Sequence, residues 1–134
     1  MTKVEGFETW VARVPYEEGR FGTHVVLRLT TDDGLQGIGY VSNLTPWALK
    51  SQRAAVEAFA ERVVGEDPIA VESINEALLR TGTRPQFGGL AHSAVGVVDI
   101  ALWDLKAKSL GRPLFRLLGG RSNEATVYAS WNLW

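Results

Sequence analysis

The sequence contains no cysteine. Disulfides, thiolate zinc sites, iron–sulfur ligation and a thiol nucleophile are thereby excluded, and the absence fits a reducing compartment, so a cytoplasmic location is the expectation. Histidine is scarce, at two residues. Neither sign of charge dominates, since fourteen basic and fifteen acidic side chains leave a net charge of −1. Without a basic stripe there is no electrostatic footprint for nucleic acid or for an anionic membrane, and neither is expected as a partner. The opening segment Met1–Glu8 has no apolar h-region, and no window approaches the roughly 18 apolar residues of a membrane span.

What is present is a chain of 134 residues, 46% hydrophobic, 22% charged and 10% aromatic, which excludes disorder and describes a globular domain. A chain of this length buries roughly two thirds of the surface it exposes when unfolded. One domain is expected, and a complete large enzyme is excluded.

Residues 3–14 alternate at the period of two that pleating imposes, with Val4, Gly6, Trp10, Ala12 and Val14 on one face and Glu8 as the exception. Pro15 is expected to end that strand. The polar stretch 16–22 reads as a loop, and alternation resumes with Thr23, Val25, Leu27 and Leu29. Asp33-Gly34 then predicts a type I′ hairpin turn into a third strand over 35–41. Thr45-Pro46 predicts a helix start, with the hydroxyl as cap and proline at the first helical position. Val56, Phe59, Ala60 and Val63 form the apolar stripe of that helix, and Gly65 is placed to close it. Asp67-Pro68 predicts a second helix through about Arg80, and residues 81–89 read as a loop. From Leu90 to Leu110 the pattern is helical and apolar over most of its circumference, so this helix is expected at the centre of the core. Gly111 ends it, Pro113 starts a short turn carrying Leu114, Phe115, Leu117 and Leu118, and Gly119-Gly120 breaks that turn. Residues 125–131 read as a terminal strand that needs sheet neighbours.

These elements carry a resemblance. The hairpin run Thr31-Asp32-Asp33-Gly34-Leu35-Gln36-Gly37-Ile38-Gly39, the helix start Thr45-Pro46 with Ala48-Leu49-Lys50, and above all Asp99-Ile100-Ala101-Leu102-Trp103-Asp104-Leu105-Lys106-Ala107-Lys108 through Gly111, Pro113 and Leu117-Leu118-Gly119-Gly120 resemble the N-terminal capping domain of the enolase superfamily, in its mandelate racemase and muconate lactonizing branch. The resemblance implies an α+β fold, a three-stranded antiparallel meander followed by a helical bundle, over residues 1–122. Residues 123–134 would then be the start of a (β/α)₈ barrel, its first strand only. The implied chemistry of the parent is abstraction of the proton α to a carboxylate, with magnesium stabilising the enediolate as a Lewis acid. In the family the base and the metal-binding carboxylates stand on later barrel strands, at the C-terminal rim. After Glu124 the chain has no Asp, Glu, Lys or His, so no metal ligand and no catalytic base is assigned, and the chain alone is expected to be a catalytically inert fragment.

The resemblance also implies where substrate would be met. The segment between the first two strands is a lid in the family, which assigns Tyr16, Glu17, Arg20 and Phe21 to substrate binding. A second lid follows the third strand, and there Asn43, Leu44 and Trp47 would wall the pocket. Trp131, with Asn132, would face the same cavity from the first barrel strand. A polar lid suits a small carboxylate such as an acid sugar, and Tyr40, where many relatives carry Glu, argues against muconate and dipeptide-epimerase chemistry. An acid-sugar dehydratase parent is therefore expected, homo-oligomeric in its full-length form; the alternatives are a 2-hydroxyacid racemase or cycloisomerase parent, or a self-standing α+β interaction module presenting Leu114, Phe115, Leu117, Leu118, Trp131 and Trp134.

Other polar residues are read as structural. Lys106-Ala107-Lys108 has the Lys-x-Lys spelling of a family base, but residues two apart on a helix diverge by about 200°, so the two lysines cannot converge on one substrate. A solvated helix end is the expected reading. His92 and Asp99 lie about 10 Å apart along a helix, too far for direct pairing. Asp99 is expected to accept backbone or hydroxyl donors, and His24 to lie exposed at a strand edge.

Overall fold

The computed structural model describes residues 2–17, 19–42, 45–81 and 88–127. Strand β1 (Val4–Glu17), β2 (Arg20–Thr31) and β3 (Gln36–Val41) form a three-stranded antiparallel sheet in the order β1-β2-β3. Helix α1 (Leu49–Ala60), a 3₁₀ turn (Glu61–Val63), α2 (Val71–Thr81), α3 (Leu90–Ser109) and the short α4 (Leu114–Leu117) follow. The expected meander followed by helices is the observed architecture.

One face of β2 makes the centre of the core. Val25, Leu27 and Leu29 are fully buried and pack with Val56 and Ala60 of α1 and with Val97, Val98, Ala101, Leu102 and Leu105 of α3. The near-continuous apolar circumference of α3 is explained by this position, because sheet, α1 and α2 all cover it. Its approach to β3 is unusually close. A Cβ at Gly37 would lie 2.2 Å from the Ala101 carbonyl oxygen, and one at Gly39 would lie 2.0 Å from that of Val97. Only glycine lets the helix backbone rest directly on the strand.

The faces of β1 differ from the expectation. Val4 pairs with Thr31 but Gly6 pairs with Thr30, so Glu5 is the extra residue of a bulge and the alternation changes parity there. Phe7, Thr9 and Val11 consequently stand opposite Leu29, Leu27 and Val25 on the helix side. Trp10, Ala12 and Val14 lie on the outer face instead, and Glu8, which had looked anomalous, pairs there with Arg28 across the strands. Pro15 does not end β1. It is accommodated inside an edge strand, where a missing N–H breaks no central ladder.

The turn between β2 and β3 is one residue earlier than expected. Gly34 N–H donates to Thr31 O at 2.9 Å and Thr31 N–H donates to Leu35 O at 3.0 Å, so Asp32 and Asp33 are the central turn residues and Gly34, at φ 86°, takes the left-handed position after them. Both aspartates also hold the start of β1, since Asp32 Oδ1 accepts from Lys3 N–H and Asp33 Oδ2 from the Thr2 hydroxyl.

Helix α1 begins at Leu49, and Ala48 rather than Thr45 is its N-cap, without a side-chain bond. Thr45 instead closes a turn through its carbonyl, which accepts from Ala48 N–H at 2.9 Å. Helix α2 likewise starts later than Asp67-Pro68, at Val71, after a turn in which Asp67 Oδ1 accepts from Ile69 N–H. Gly65, at φ 89°, donates its N–H to Val4 O and so ties the end of the 3₁₀ turn to the start of β1. Both glycine stops after α3 hold as expected, and they are the same motif used twice. Arg112 N–H donates to Ala107 O and Gly111 N–H to Lys108 O; Gly120 N–H donates to Phe115 O and Gly119 N–H to Arg116 O. Residues 125–127 are exposed and carry no strand pairing, and the rest of the expected barrel strand lies outside the described residues.

Candidate functional site

The register of the sheet brings the two predicted lid segments to one end of it. Because β3 runs antiparallel to β2 and its last pair is Val25 with Val41, the chain leaves β3 beside the beginning of β2. The β1–β2 hairpin passes that point, with pairs continuing through Thr23, Gly22 and Phe21 to Glu17 and Arg20. From position 24 to position 20 the hairpin thus overhangs the end of β3 by about 13 Å at strand rise. The segment 16–22, expected as an irregular loop, is mostly the paired tip of this hairpin around Gly19, which has φ 74°.

Tyr16 and Glu17 end β1 and Arg20 begins β2; their side chains lie outside the described part of the structure. Phe21 is half exposed, opposite Pro15, with the Arg13 guanidinium 5.4 Å from its ring centroid. Trp47 stands in the turn before α1 with 83% of its surface exposed. Asn43, Leu44, Trp131 and Asn132 lie outside the described residues. The structure therefore places the hairpin tip and the end of β3 at one end of the sheet.

His24 is not at an exposed edge. It lies on the central strand, its Nδ1 3.0 Å from Ser42 Oγ and its ring edge-on to Tyr40 at a centroid separation of 6.3 Å. This contact was missed because the pairing of β2 with β3 is a long-range property, although the alternation of both strands places His24 and Tyr40 on the outer face. The lysine pair diverges as expected, but each is engaged. Lys106 bonds Glu72 of α2 at 2.9 Å and covers the Trp103 ring at 4.6 Å, whereas Lys108 bonds Asp104 and the Gln36 carbonyl, both at 2.7 Å. Asp99 accepts from the Asn75 carboxamide at 2.8 Å, a side-chain donor on α2 rather than backbone or hydroxyl.

No group of three or more His, Asp or Glu side chains among the described residues could hold a metal ion. The acids that stand near neighbours are already committed to cations or donors. Glu57 accepts from Thr9 and Arg53, which together hold its carboxyl below the ordinary carboxylate range, Thr9 contributing most. Glu72 is lowered chiefly by Lys106, and Asp33 chiefly by the Thr31 hydroxyl. The described residues do not fit a magnesium site. A cavity of about 350 Å³ lies between the 3₁₀ turn and α2, lined by Arg62, Glu66, Ser73, Ile74, Leu78 and Thr81 among others. None of the predicted substrate residues borders it.

A three-stranded antiparallel meander followed by helices is the architecture of the N-terminal capping domain of the enolase superfamily. The chain belongs to the mandelate racemase / muconate lactonizing enzyme family, whose N-terminal domain model matches residues 12–119. It is 41% identical over 108 residues to the D-galactonate dehydratase family member RspA of Halomonas elongata, covering 77% of this chain and 25% of that protein. It is 37% identical over 108 residues to D-mannonate dehydratase of Rhizorhabdus wittichii, with the same coverage of 77% and 25%. Among solved structures, a Bradyrhizobium enolase complexed with magnesium and mandelic acid superposes with a TM-score of 0.80 at 26% identity, over 89% of this chain and 35% of that one. L-talarate dehydratase of Polaromonas, complexed with Mg and L-glucarate, superposes at 0.75 with 28% identity, over 89% and 33%. The chain spans about a quarter of the length of the curated relatives it matches.

Proposed function

We propose that this chain is the substrate-capping domain of a magnesium-dependent enzyme that abstracts the proton α to a carboxylate, and that the parent reaction is dehydration of an acid sugar. The observation that carries the reading is the 41% identity to a D-galactonate dehydratase family member across the cap itself. In this reading the lid segments of the cap wall the substrate cavity, so likeness there bears on substrate class more directly than likeness of backbone. The paired hairpin tip supports the same reading, because it carries Tyr16, Glu17, Arg20 and Phe21 past the end of β3, and Trp47 in the turn before α1 is exposed. A small hydroxylated carboxylate offers acceptors for Arg20 and donors for Glu17.

Residues 1–122 form the cap in this proposal, and 123–134 lead into a barrel. The base and the magnesium ligands belong to that barrel, outside this chain, so the 134 residues alone bind no magnesium at an active centre and turn nothing over. The exposed aliphatic and aromatic residues Trp10, Val14, Ile38 and Tyr40 on the outer sheet face suit a buried position in a homo-oligomeric parent.

A domain exchange tests the reading. Residues 1–127 replace the corresponding quarter of the Halomonas protein, and D-galactonate, D-mannonate, L-glucarate and mandelic acid are offered with magnesium. Dehydration of an acid sugar by the exchanged enzyme, with none by the 134-residue chain, supports the proposal. Because the barrel of the exchanged enzyme is the Halomonas one, the cap reports on substrate choice, and binding of mandelic acid in preference to every acid sugar would overturn the acid-sugar reading.

A further inference from the structure

The sheet has two edges, and among the described residues only one of them is covered. On β3, Asp104 accepts from Ile38 N–H and Lys108 bonds the Gln36 carbonyl, so the backbone of those residues faces away from β2. Thr31 N–H bonds Leu35 O across the hairpin, so Thr31 faces β3. Both observations fix the alternation along β2 and turn Thr30, Arg28, Val26 and His24 toward β1, against Gly6, Glu8, Trp10 and Ala12. Phe7, Thr9, Val11 and Arg13 therefore direct their N–H and C=O groups out of the sheet, and among the described residues nothing bonds them. Pro15 comes next in that outward set, where it has no donor to offer. The open stretch is bounded by the bulge at Glu5 and by Pro15, which lie equally far from Trp10. Trp10 on the outer face and Val11 on the helix side are 37% and 39% exposed. A partner resting on one face of the sheet would cover one of them, whereas a strand added beyond β1 covers both and satisfies the backbone between them.

We propose that β1 pairs antiparallel with β1 of a second copy of this chain, about a two-fold axis at Trp10, so that the two sheets become one. The edge is self-complementary in that register. Phe7 stands opposite Arg13 of the second copy and Thr9 opposite Val11, so all four outward residues of each strand find a partner. A two-fold axis one residue away, at Thr9 or Val11, would leave an outward residue of each strand facing the bulge or Pro15. Axes at Glu8 or Arg13 would set like charges opposite each other, which is unfavourable. With the axis at Trp10, Arg13 is instead brought to the end of the ladder where the second copy carries Glu5, opposite in sign. Trp10 meets its own counterpart as a non-hydrogen-bonded pair, the kind in which side chains stand closest. The interface is isologous, as a two-fold axis requires. It gives the homo-oligomeric parent proposed above its contact and rests on that reading, but no part of it depends on the reaction.

Disulfide capture in the 134-residue chain tests the register, because the sequence has no cysteine and each variant carries one thiol. Across the axis, the Cα atoms of position 10 would lie about 4.5 Å apart, inside the range a disulfide spans. Position 14, on the same strand and face, would lie about 27 Å from its counterpart at strand rise. Trp10→Cys, Val14→Cys, Glu8→Cys and Ala12→Cys are oxidised by glutathione disulfide, and covalent dimer is read by mass under non-reducing conditions. Trp10→Cys is expected to form dimer at least about tenfold faster than Val14→Cys, since pairing raises the effective concentration of one thiol at the other. Glu8 stands opposite Ala12 of the second copy, so Glu8→Cys and Ala12→Cys mixed together are expected to cross-link faster than either alone. The proposal is overturned if Trp10→Cys dimerises no faster than Val14→Cys, or if the mixture gains nothing over its components. Should Trp10→Cys disturb the sheet, as loss of Leu27 and Leu29 amide protection would reveal, the mixture decides alone, because it leaves Trp10 in place. Turnover is read in no arm, so a failure here leaves the acid-sugar reading intact, and a failed domain exchange leaves the strand pairing intact.

Discussion

Asp104 on α3 accepts the backbone N–H of Ile38 on β3 through Oδ2 at 2.9 Å, across 66 positions of sequence. Lys108, one turn further along the helix, completes the arrangement by bonding both Asp104 and the Gln36 carbonyl. Strand β3 is an edge, and an edge with free donors and acceptors recruits other strands. Two side chains of one helix thus take the place of a fourth strand at Gln36–Ile38. Removing the acceptor with Asp104→Ala strands the Ile38 N–H and is expected to cost about 1–2 kcal/mol of stability, whereas Asp104→Asn, which keeps an acceptor, costs less. Urea denaturation of the two variants checks the ordering. Equal costs would mean that the charge, and not the bond to β3, is what matters.

The glycines beneath the same helix give a sharper prediction. At Gly39 an added methyl would sit 2.0 Å from a carbonyl oxygen of α3, and neither helix backbone nor strand can yield as a side chain does. Gly39→Ala is expected to destabilise the chain by about 3 kcal/mol, at the upper end of ordinary overpacking. Gly6→Ala, where nothing lies within 4 Å, serves as the control and is expected to change stability by less than about 0.5 kcal/mol. Denaturation midpoints of the two variants make the comparison directly.

Much of this fold is legible in the residue order, because alternation, helical spacing and glycine stops are local. The long apolar helix, the glycine stops after α3 and α4 and the divergence of Lys106 from Lys108 follow from spacing alone. Where reading failed, a long-range or cooperative feature intervened. The bulge at Glu5 moved Trp10 to the outer face, and sequence pattern has no register with which to detect an extra residue. Pairing across Glu17 and Arg20 turned an expected polar loop into strand, since two edge segments held side by side satisfy each other's backbone. Phe21 and Trp47 are assigned to the candidate site from the resemblance, whereas the His24–Ser42 contact depends on which strands neighbour each other and is invisible before the sheet is assembled.

Acid sensitivity follows from the carboxylates that hold elements together. Glu57 on α1 accepts from Thr9 on β1, and this bond is the main reason its carboxyl titrates below the ordinary value of 4.5. A carboxylate with a folded pKa below its unfolded one stabilises the fold fully above the unfolded value and loses that contribution as pH falls through the folded one. The chain is therefore expected to lose stability as pH drops below about 4.5, and Glu57→Gln and Thr9→Val are both expected to flatten that part of the profile. Urea midpoints measured from pH 6 down to pH 3 check this. A parent profile no steeper than that of Glu57→Gln would remove the Thr9–Glu57 contact as a cause.

Trp47 separates folding from function. Its ring is 83% exposed and borders no core residue of the described fold, so Trp47→Ala is expected to leave stability within about 0.5 kcal/mol of the parent chain. A tryptophan held out in water is an unfavourable arrangement unless something covers it, and a substrate cavity closed by the cap would do so. In the domain-exchange enzyme the same substitution is expected to lower kcat/KM for an acid sugar by about tenfold, the cost of losing roughly 1.4 kcal/mol of contact. The loss should fall mainly on KM, because a wall residue binds substrate and transition state alike. Unchanged kcat/KM together with unchanged stability would show that Trp47 faces neither core nor substrate, and would remove the segment after β3 from the proposed site.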